Sequence, residues 1–118
     1  MVMALCEAAK NAIPEHTMIV NNTIGSGSTD MGDLSCIMPV VHPYSSGAEG
    51  KAHGSDYRIV DPEAACVGSA KLQLELLHVL LSNGAERAKM VVEKYEPMFK
   101  SKEEYLAYMD IFSAFFMD

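Results

Sequence analysis

The alternation of apolar and polar positions predicts one long helix as the clearest element of the chain. Pro62–Leu81 is apolar on most of its circumference. Its polar positions recur every three or four residues and form one narrow row: Lys71, Glu75, His78 and Ser82. Asp61 is suited to cap the first turn, Pro62 to occupy the first helical position, and Asn83-Gly84 to end the helix. A helix this apolar is expected to be buried on several sides.

Shorter elements are predicted before the long helix. Apolar and small residues favour a helix over Val2–Ile13, which Pro14 ends. β-branched residues favour a buried strand in Thr17–Ile24 and a second one in Val40–Tyr44. Between these strands, a short helix is predicted over Met31–Met38 after a hydroxyl or carboxylate cap.

Two further helices are predicted after the long one. They cover Ala85–Tyr95 and Lys102–Phe116, and Ser101 with Glu104 forms a capping box for the second. The whole order of helices and strands indicates an α/β fold with two or three strands at most. Because so small a sheet cannot cover the long helix, the chain is expected to assemble with copies of itself or to belong to a larger α/β domain.

Composition narrows the classes of protein. With 118 residues, 49% of them hydrophobic, the chain is one domain or a piece of one, with enough apolar content for a core. Its net charge of −7 argues against nucleic acid or an anionic membrane as a partner. No uninterrupted apolar run approaches the roughly 20 residues of a membrane span. The three cysteines lack paired spacing, which is typical of reduced thiols in a cytoplasmic protein.

The candidate chemistry is concentrated in Gly25–Pro62, which holds six of the eight glycines. His53 lies in a polar loop before the long helix, and a neutral imidazole there is suited to bind zinc, manganese or nickel. The alternative is a solvent-exposed loop histidine. Cys36 and His42 are also possible ligands. Packing explains each of them equally well: Cys36 as a small core residue, and His42 as a half-buried residue of a strand. An independent metal-binding module using all three is a further hypothesis.

The order of the motifs carries a resemblance to a known family. GSGSTDMGDLSCIMPVVHPY, then GKAHGSDYRIVDPEAA, then a long apolar helix resembles the C-terminal end of the catalytic domain of M20 metallopeptidases and amidohydrolases. The branch of this family that the sequence resembles includes aminoacylases, hippurate and auxin-conjugate hydrolases, and aminobenzoyl-glutamate hydrolases. The resemblance covers residues 1–83, as a C-terminal segment of the catalytic domain. Residues 84–118 are interpreted as a helical C-terminal extension.

The resemblance implies a fold, a reaction and roles for particular residues. The expected fold is part of a zinc-peptidase-like α/β catalytic domain, in which two zinc or manganese ions activate a water to attack an amide carbonyl and a glutamate acts as general base. His53 matches the last metal-binding histidine. Met1–Ile13 matches the helix that follows the lid domain. The turn that lines the substrate pocket matches Gly27, Ser28, Thr29 and Asp30.

The remaining ligands and the general base of the family have no counterpart in this sequence. The chain is therefore expected to be a fragment of an enzyme that hydrolyses an N-acyl amino acid or peptide-like amide, and to have no activity alone. Its expected partners are a small-molecule amide in the parent enzyme, together with copies of itself or a complementary N-terminal chain. The alternative is a non-catalytic, self-associating α/β domain derived from that fold.

Overall fold

The computed structural model of the chain describes residues 1–15 and 28–115. Helices dominate these residues, and the only β-structure among them is one short antiparallel hairpin. In chain order the elements are α1 (Val2–Ala12), α2 (Asp30–Ser35), β1 (Ala48–Glu49), β2 (Arg58–Ile59), a π-helical segment (Glu63–Gly68), α3 (Ser69–Glu93) and α4 (Lys102–Phe115).

The prediction of an α/β fold, as part of a zinc-peptidase-like domain, is wrong for the described part of the chain. In the hairpin, Ala48 is opposite Ile59 and Glu49 is opposite Arg58, so each strand has two residues. The predicted strand Val40–Tyr44 forms no ladder, because no described strand lies beside it and Pro43 lacks a backbone donor. The predicted strand Thr17–Ile24 lies outside the described residues.

The core is the contact between α1 and α3. Small side chains on α1 let the two helices approach closely, and the partly buried Ile13 and Leu76 pack around the contact. At its edge, Asn11 donates a hydrogen bond to the Glu75 carboxylate at 2.9 Å. The buried side chains, with at most 9% of their surface exposed, are Ala4, Leu5, Ala8, Ala9, Leu72 and Val79.

The predicted start and end of the long helix are confirmed. The Asp61 carboxylate accepts a hydrogen bond from the Ala64 N–H at 3.1 Å, as expected of a cap before Pro62. Within α3, the backbone leaves the helical region at Ser82, and Asn83, Gly84 and Ala85 have φ angles of 52°, 73° and 61°. This left-handed turn separates the apolar first part of α3 from a second part that ends at Glu93.

The expectation that the long helix is buried on several sides is wrong. Only the face toward α1 is buried, and Leu74, Leu77 and Leu81 on the opposite face are 68%, 54% and 60% exposed. The chain as a whole exposes 9490 Å², against about 6,300 Å² for a folded monomer of this mass. Its radius of gyration is 17.5 Å, against about 13.5 Å for a compact domain of this length. Within the described residues, the apolar surface of these three leucines is left exposed.

The short helices begin with the predicted caps. Thr29 accepts a hydrogen bond from the Met31 N–H at 3.4 Å, and α2 ends at Ser35, earlier than the predicted Met38. At the start of α4, Ser101 accepts from the Glu104 N–H at 3.1 Å, while the Glu104 carboxylate accepts from the Lys100 N–H at 2.8 Å. The predicted capping box therefore forms with its second bond shifted by one residue.

Helix α4 is connected to α2 through the segment between α3 and α4. The Cys36 carbonyl accepts hydrogen bonds from the N–H groups of Met98 and Phe99 at 3.1 and 3.2 Å. Desolvation raises the pKa of Tyr105, and a hydrogen bond with Asp33 raises it further. The Phe99 ring also packs against the rings of Tyr105 and Tyr108, so both polar and aromatic contacts hold α4 beside this segment.

One described helical run, Glu63–Glu93, is long and apolar enough to cross a membrane by length and composition alone. The core helix of a soluble protein meets the same criteria, but such a helix is mostly buried, whereas 17% of the apolar window is buried here. The polar row along this run and the left-handed turn inside it both work against a continuous apolar span. Length and composition alone therefore assign no membrane-spanning role to this run.

Candidate functional site

The hairpin frames a tightly turned loop that carries His53. The loop is closed by two successive turns, in which the Gly54 N–H donates to the Lys51 carbonyl at 2.7 Å and the Tyr57 N–H donates to the Gly54 carbonyl at 3.2 Å. The Asp56 carboxylate accepts a hydrogen bond from the Lys51 N–H, with its two oxygens at 3.4 and 3.3 Å from the nitrogen. The loop is thus held by its own backbone and one aspartate.

Two glycines make this loop geometry possible. Gly50 has a φ angle of +99°, and a side chain there would place Cβ 2.5 Å from the Asp56 carbonyl oxygen. A Cβ at Gly54 would collide with the Asp56 carboxylate. The sequence analysis assigned no role to Asp56. The spacing of Gly50, Gly54 and Asp56 was the available signal that this aspartate closes the loop. The aspartate fits only because both glycines leave room for it.

His53 lies at the exposed turn of this loop in a left-handed conformation. Its φ angle is +65°, a region that disfavours side chains with a Cβ by roughly 1–2 kcal/mol. The imidazole is exposed and makes no hydrogen bond or ion pair with the described residues. Strained backbone of this kind is concentrated at functional sites. The arrangement presents an imidazole whose ring nitrogens are free to bind a ligand.

The hairpin is attached to the start of the long helix. The Gly47 carbonyl accepts hydrogen bonds from the N–H groups of Val60 and Asp61 at 2.9 and 3.1 Å. Gly47 itself has a φ angle of +101°, and a Cβ there would lie 2.8 Å from the backbone nitrogen of Ala65. The Ser45 hydroxyl donates to the Ala65 carbonyl at 3.4 Å. This attachment fixes the base of the hairpin while its tip stays exposed.

The predicted substrate-binding turn lies at the start of α2. Gly27 is outside the described residues, and Ser28, Thr29 and Asp30 are exposed. The Thr29 hydroxyl is used as the helix cap. Among the residues that the structure describes, no hydrogen bond or ion pair joins this turn to the hairpin that carries His53. The assignment of the turn to a substrate pocket stays a prediction.

The other proposed metal ligands have different local environments. The Cys36 thiol is half-buried and donates to the Gly32 carbonyl at 3.5 Å. His42, predicted to be half-buried in a strand, is exposed and packs against the Tyr44 ring with centroids 4.9 Å apart. Within residues 1–15 and 28–115, no group of three or more His, Cys, Asp or Glu side chains is arranged to hold a metal ion.

A separate groove of about 430 Å³ lies between the start of α1, residues 38–40 and the second part of α3. Methionine and valine side chains make up half of its lining residues, and Arg87 and Lys94 are its cationic side chains. Arg87 forms an ion pair with Glu7 on α1 at 2.6 Å. Neither His53 nor the Ser28–Asp30 turn contributes to this groove, so the candidate chemistry and the groove are separate features.

Comparisons with known proteins identify no family for this chain. No protein-family model matches it, and searches of curated proteins and of solved structures give no match.

Proposed function

We propose that this chain is a segment of a metal-dependent amidohydrolase or peptidase and contributes His53 as one ligand of a zinc or manganese site. The observation that carries the proposal is the strained, exposed and unpartnered His53 at the tip of a loop built around two obligatory glycines. Such strain is difficult to explain by stability, because a glycine would fit the same backbone better. The order of the Gly-Ser-Thr-Asp and His-Gly-Ser-Asp motifs gives independent support.

The chemistry of such a site assigns a limited part to this chain. Bound metal lowers the pKa of a water and stabilises the oxyanion that develops at an amide carbonyl. His53 would hold metal through a neutral ring nitrogen. Ser28, Thr29 and Asp30 would face the substrate, with Gly27 beside them. Because the described residues supply a single candidate ligand and no set of three, the remaining ligands and the general base must come from elsewhere.

Manganese titration followed by NMR tests the role of His53. Mn²⁺ broadens the signals of nearby nuclei, so even weak binding is detectable. We expect low Mn²⁺ concentrations to broaden signals of the 50–57 loop first, and we expect this selective broadening to disappear in His53→Ala. His42→Ala is the matched control, since His42 is also an exposed imidazole, outside the hairpin. Broadening that is the same in the unchanged chain and in both variants, or that is centred on His42, would contradict the proposed metal-binding role of His53.

The proposal also predicts that the isolated chain does not hydrolyse amides. A single histidine cannot hold two metal ions, and the described residues include no group of three ligands. Assays of the purified chain with N-acyl amino acids, in the presence of Zn²⁺ or Mn²⁺, should give the uncatalysed rate. Hydrolysis that is lost in His53→Ala would mean that the chain carries a complete site.

A second candidate function is that of a non-catalytic, self-associating protein. The observation that favours it is the apolar face of α3 that remains exposed opposite α1. Contiguous exposed apolar patches are typical of surfaces that bind another protein or a membrane. This candidate requires no metal ligand and no substrate pocket, so an unchanged Mn²⁺ titration in His53→Ala together with a stable oligomer would favour it over the first.

A further inference from the structure

We infer that two copies of this chain pair in antiparallel orientation through one exposed stripe of α3. The stripe, here called the leucine seam, consists of Ala70, Leu74, Leu77 and Leu81. Its members follow one another at intervals of four, three and four residues, the spacing of apolar positions at the contact line of a coiled coil. All four side chains are exposed, and the three leucines are more than half exposed. The inference rests on the second candidate function and deepens it by naming the surface and its geometry.

The seam lies directly opposite the core contact. At 3.6 residues per turn, Leu72 and Val79 point toward α1, whereas Leu74, Leu77 and Leu81 point the other way. The polar row of Lys71, Glu75, His78 and Ser82 follows one flank of the seam. An apolar stripe bordered by polar side chains is the pattern of a helix that packs against a second helix on that side.

The seam is apolar surface that the described residues leave open to a partner. Leu74, Leu77 and Leu81 are 68%, 54% and 60% exposed, and a standard stable interface removes about 800 Å² from each partner. A second copy brings an identical stripe, and a twofold axis pairs the stripe with itself. A membrane surface is the less suitable occupant, because helices that lie on membranes are rich in Lys and Arg, whereas the net charge of this chain is −7.

The composition of the seam distinguishes the two possible orientations. In a parallel pair, Ala70 would face Ala70 of the other copy and leave a gap, while each leucine faced itself. In an antiparallel pair, Ala70 faces Leu81 and Leu74 faces Leu77, so that each small residue is opposite a large one. Antiparallel helices also place opposite ends of their dipoles side by side. The left-handed turn after Leu81 ends the seam.

The oligomeric state tests whether the seam is an interface. We expect light scattering and sedimentation to find a dimer, and we expect Leu77→Glu to raise its dissociation constant at least about a hundredfold, since the charge would be buried without a partner. Met3→Glu is the matched control, because Met3 is 77% exposed on α1, away from the seam. Circular dichroism checks that both variants keep their helices. A monomeric chain at the highest soluble concentration would overturn both the second candidate and this inference.

Disulfide trapping tests the orientation separately. In a background with the three native cysteines replaced by serine, the Ala70→Cys and Leu81→Cys variants are oxidised alone and mixed. The antiparallel seam predicts rapid formation of the mixed disulfide and slow formation of either homodimer. Fast homodimers would overturn the orientation, and a dimer that forms no mixed disulfide would overturn the seam while leaving self-association intact. Sedimentation of the monomer with neutral phospholipid vesicles, lost in Leu77→Glu, would replace the second copy by a membrane surface.

Discussion

The α1–α3 helix pair and the β1–β2 hairpin are held in place by different physical interactions. In the helix pair, four side chains of α1 and two of α3 are removed from water, so that burial supplies the stability. In the hairpin, no residue is fully buried, and its shape depends on backbone hydrogen bonds and on glycines with positive φ angles. The first region is therefore defined by which side chains are apolar, and the second by which backbone positions lack a Cβ.

This difference bears on where function is expected. A region that contributes little buried surface opens more easily than the core, and binding loops are commonly drawn from such regions. The hairpin accepts the strain at His53 because its base is anchored by the Gly47 carbonyl and its loop is closed by the Asp56 carboxylate. In the helix pair, the non-glycine residues with positive φ angles are Asn83 and Ala85, in the turn after Leu81, and neither belongs to the buried contact between α1 and α3.

The largest effect is expected from a substitution on the buried side of α3. Leu72→Ala should lower the free energy of unfolding by about 2–5 kcal/mol, because it removes buried contacts and leaves a cavity beside α1. Leu74→Ala, two residues away but 68% exposed, should change it by less than about 0.5 kcal/mol in the monomer. Chemical denaturation at a concentration below self-association compares the two. Equal losses would mean that the two faces of α3 are not as different as the contact with α1 implies.

The helices of this pair could be predicted from sequence because their signals are local. Asp61, Pro62 and Asn83-Gly84 determine the ends of a helix within a few residues of themselves, whatever the rest of the chain does. Strands are different, since Val40–Tyr44 becomes part of a sheet only if another strand lies beside it. That requirement is not local, and the α/β prediction failed there.

The hairpin and the conformation of His53 could not be predicted for related reasons. Each strand has two residues, too short to show alternation, and the loop lacks the Asn-Gly or Asp-Gly pair that marks a tight hairpin. His53 could be selected as a candidate from its residue type and its polar neighbours. Its left-handed backbone depends on closure of the loop by Asp56, a contact that no residue-by-residue propensity contains.

A smaller and more local effect is expected from Gly50→Ala. The added Cβ would lie 2.5 Å from the Asp56 carbonyl oxygen at a φ angle of +99°, so the hairpin must open or distort, at a cost of about 1–3 kcal/mol. Amide hydrogen exchange should accelerate in residues 48–59 and stay unchanged in α1 and α3. Gly32→Ala is the control, because Gly32 has open space around its Cα and lies within helix α2. Faster exchange in the helices would show that the two regions are more strongly coupled than their separate interactions suggest.

The smallest expected effect is a gain in stability, in contrast to the losses predicted above. It separates stability from function at His53. Glycine accepts a φ angle of +65° without a steric penalty, so His53→Gly should stabilise the closed hairpin by about 0.5–1 kcal/mol. His53→Ala retains the Cβ and should give no such gain, although it removes the imidazole equally. Hydrogen exchange of the 48–59 amides should therefore slow by about two- to fivefold in the glycine variant alone. If the alanine variant slowed exchange equally, the imidazole itself would be the source of strain. If neither variant did, the left-handed backbone would carry no measurable strain, and the main physical argument for a functional His53 would be lost.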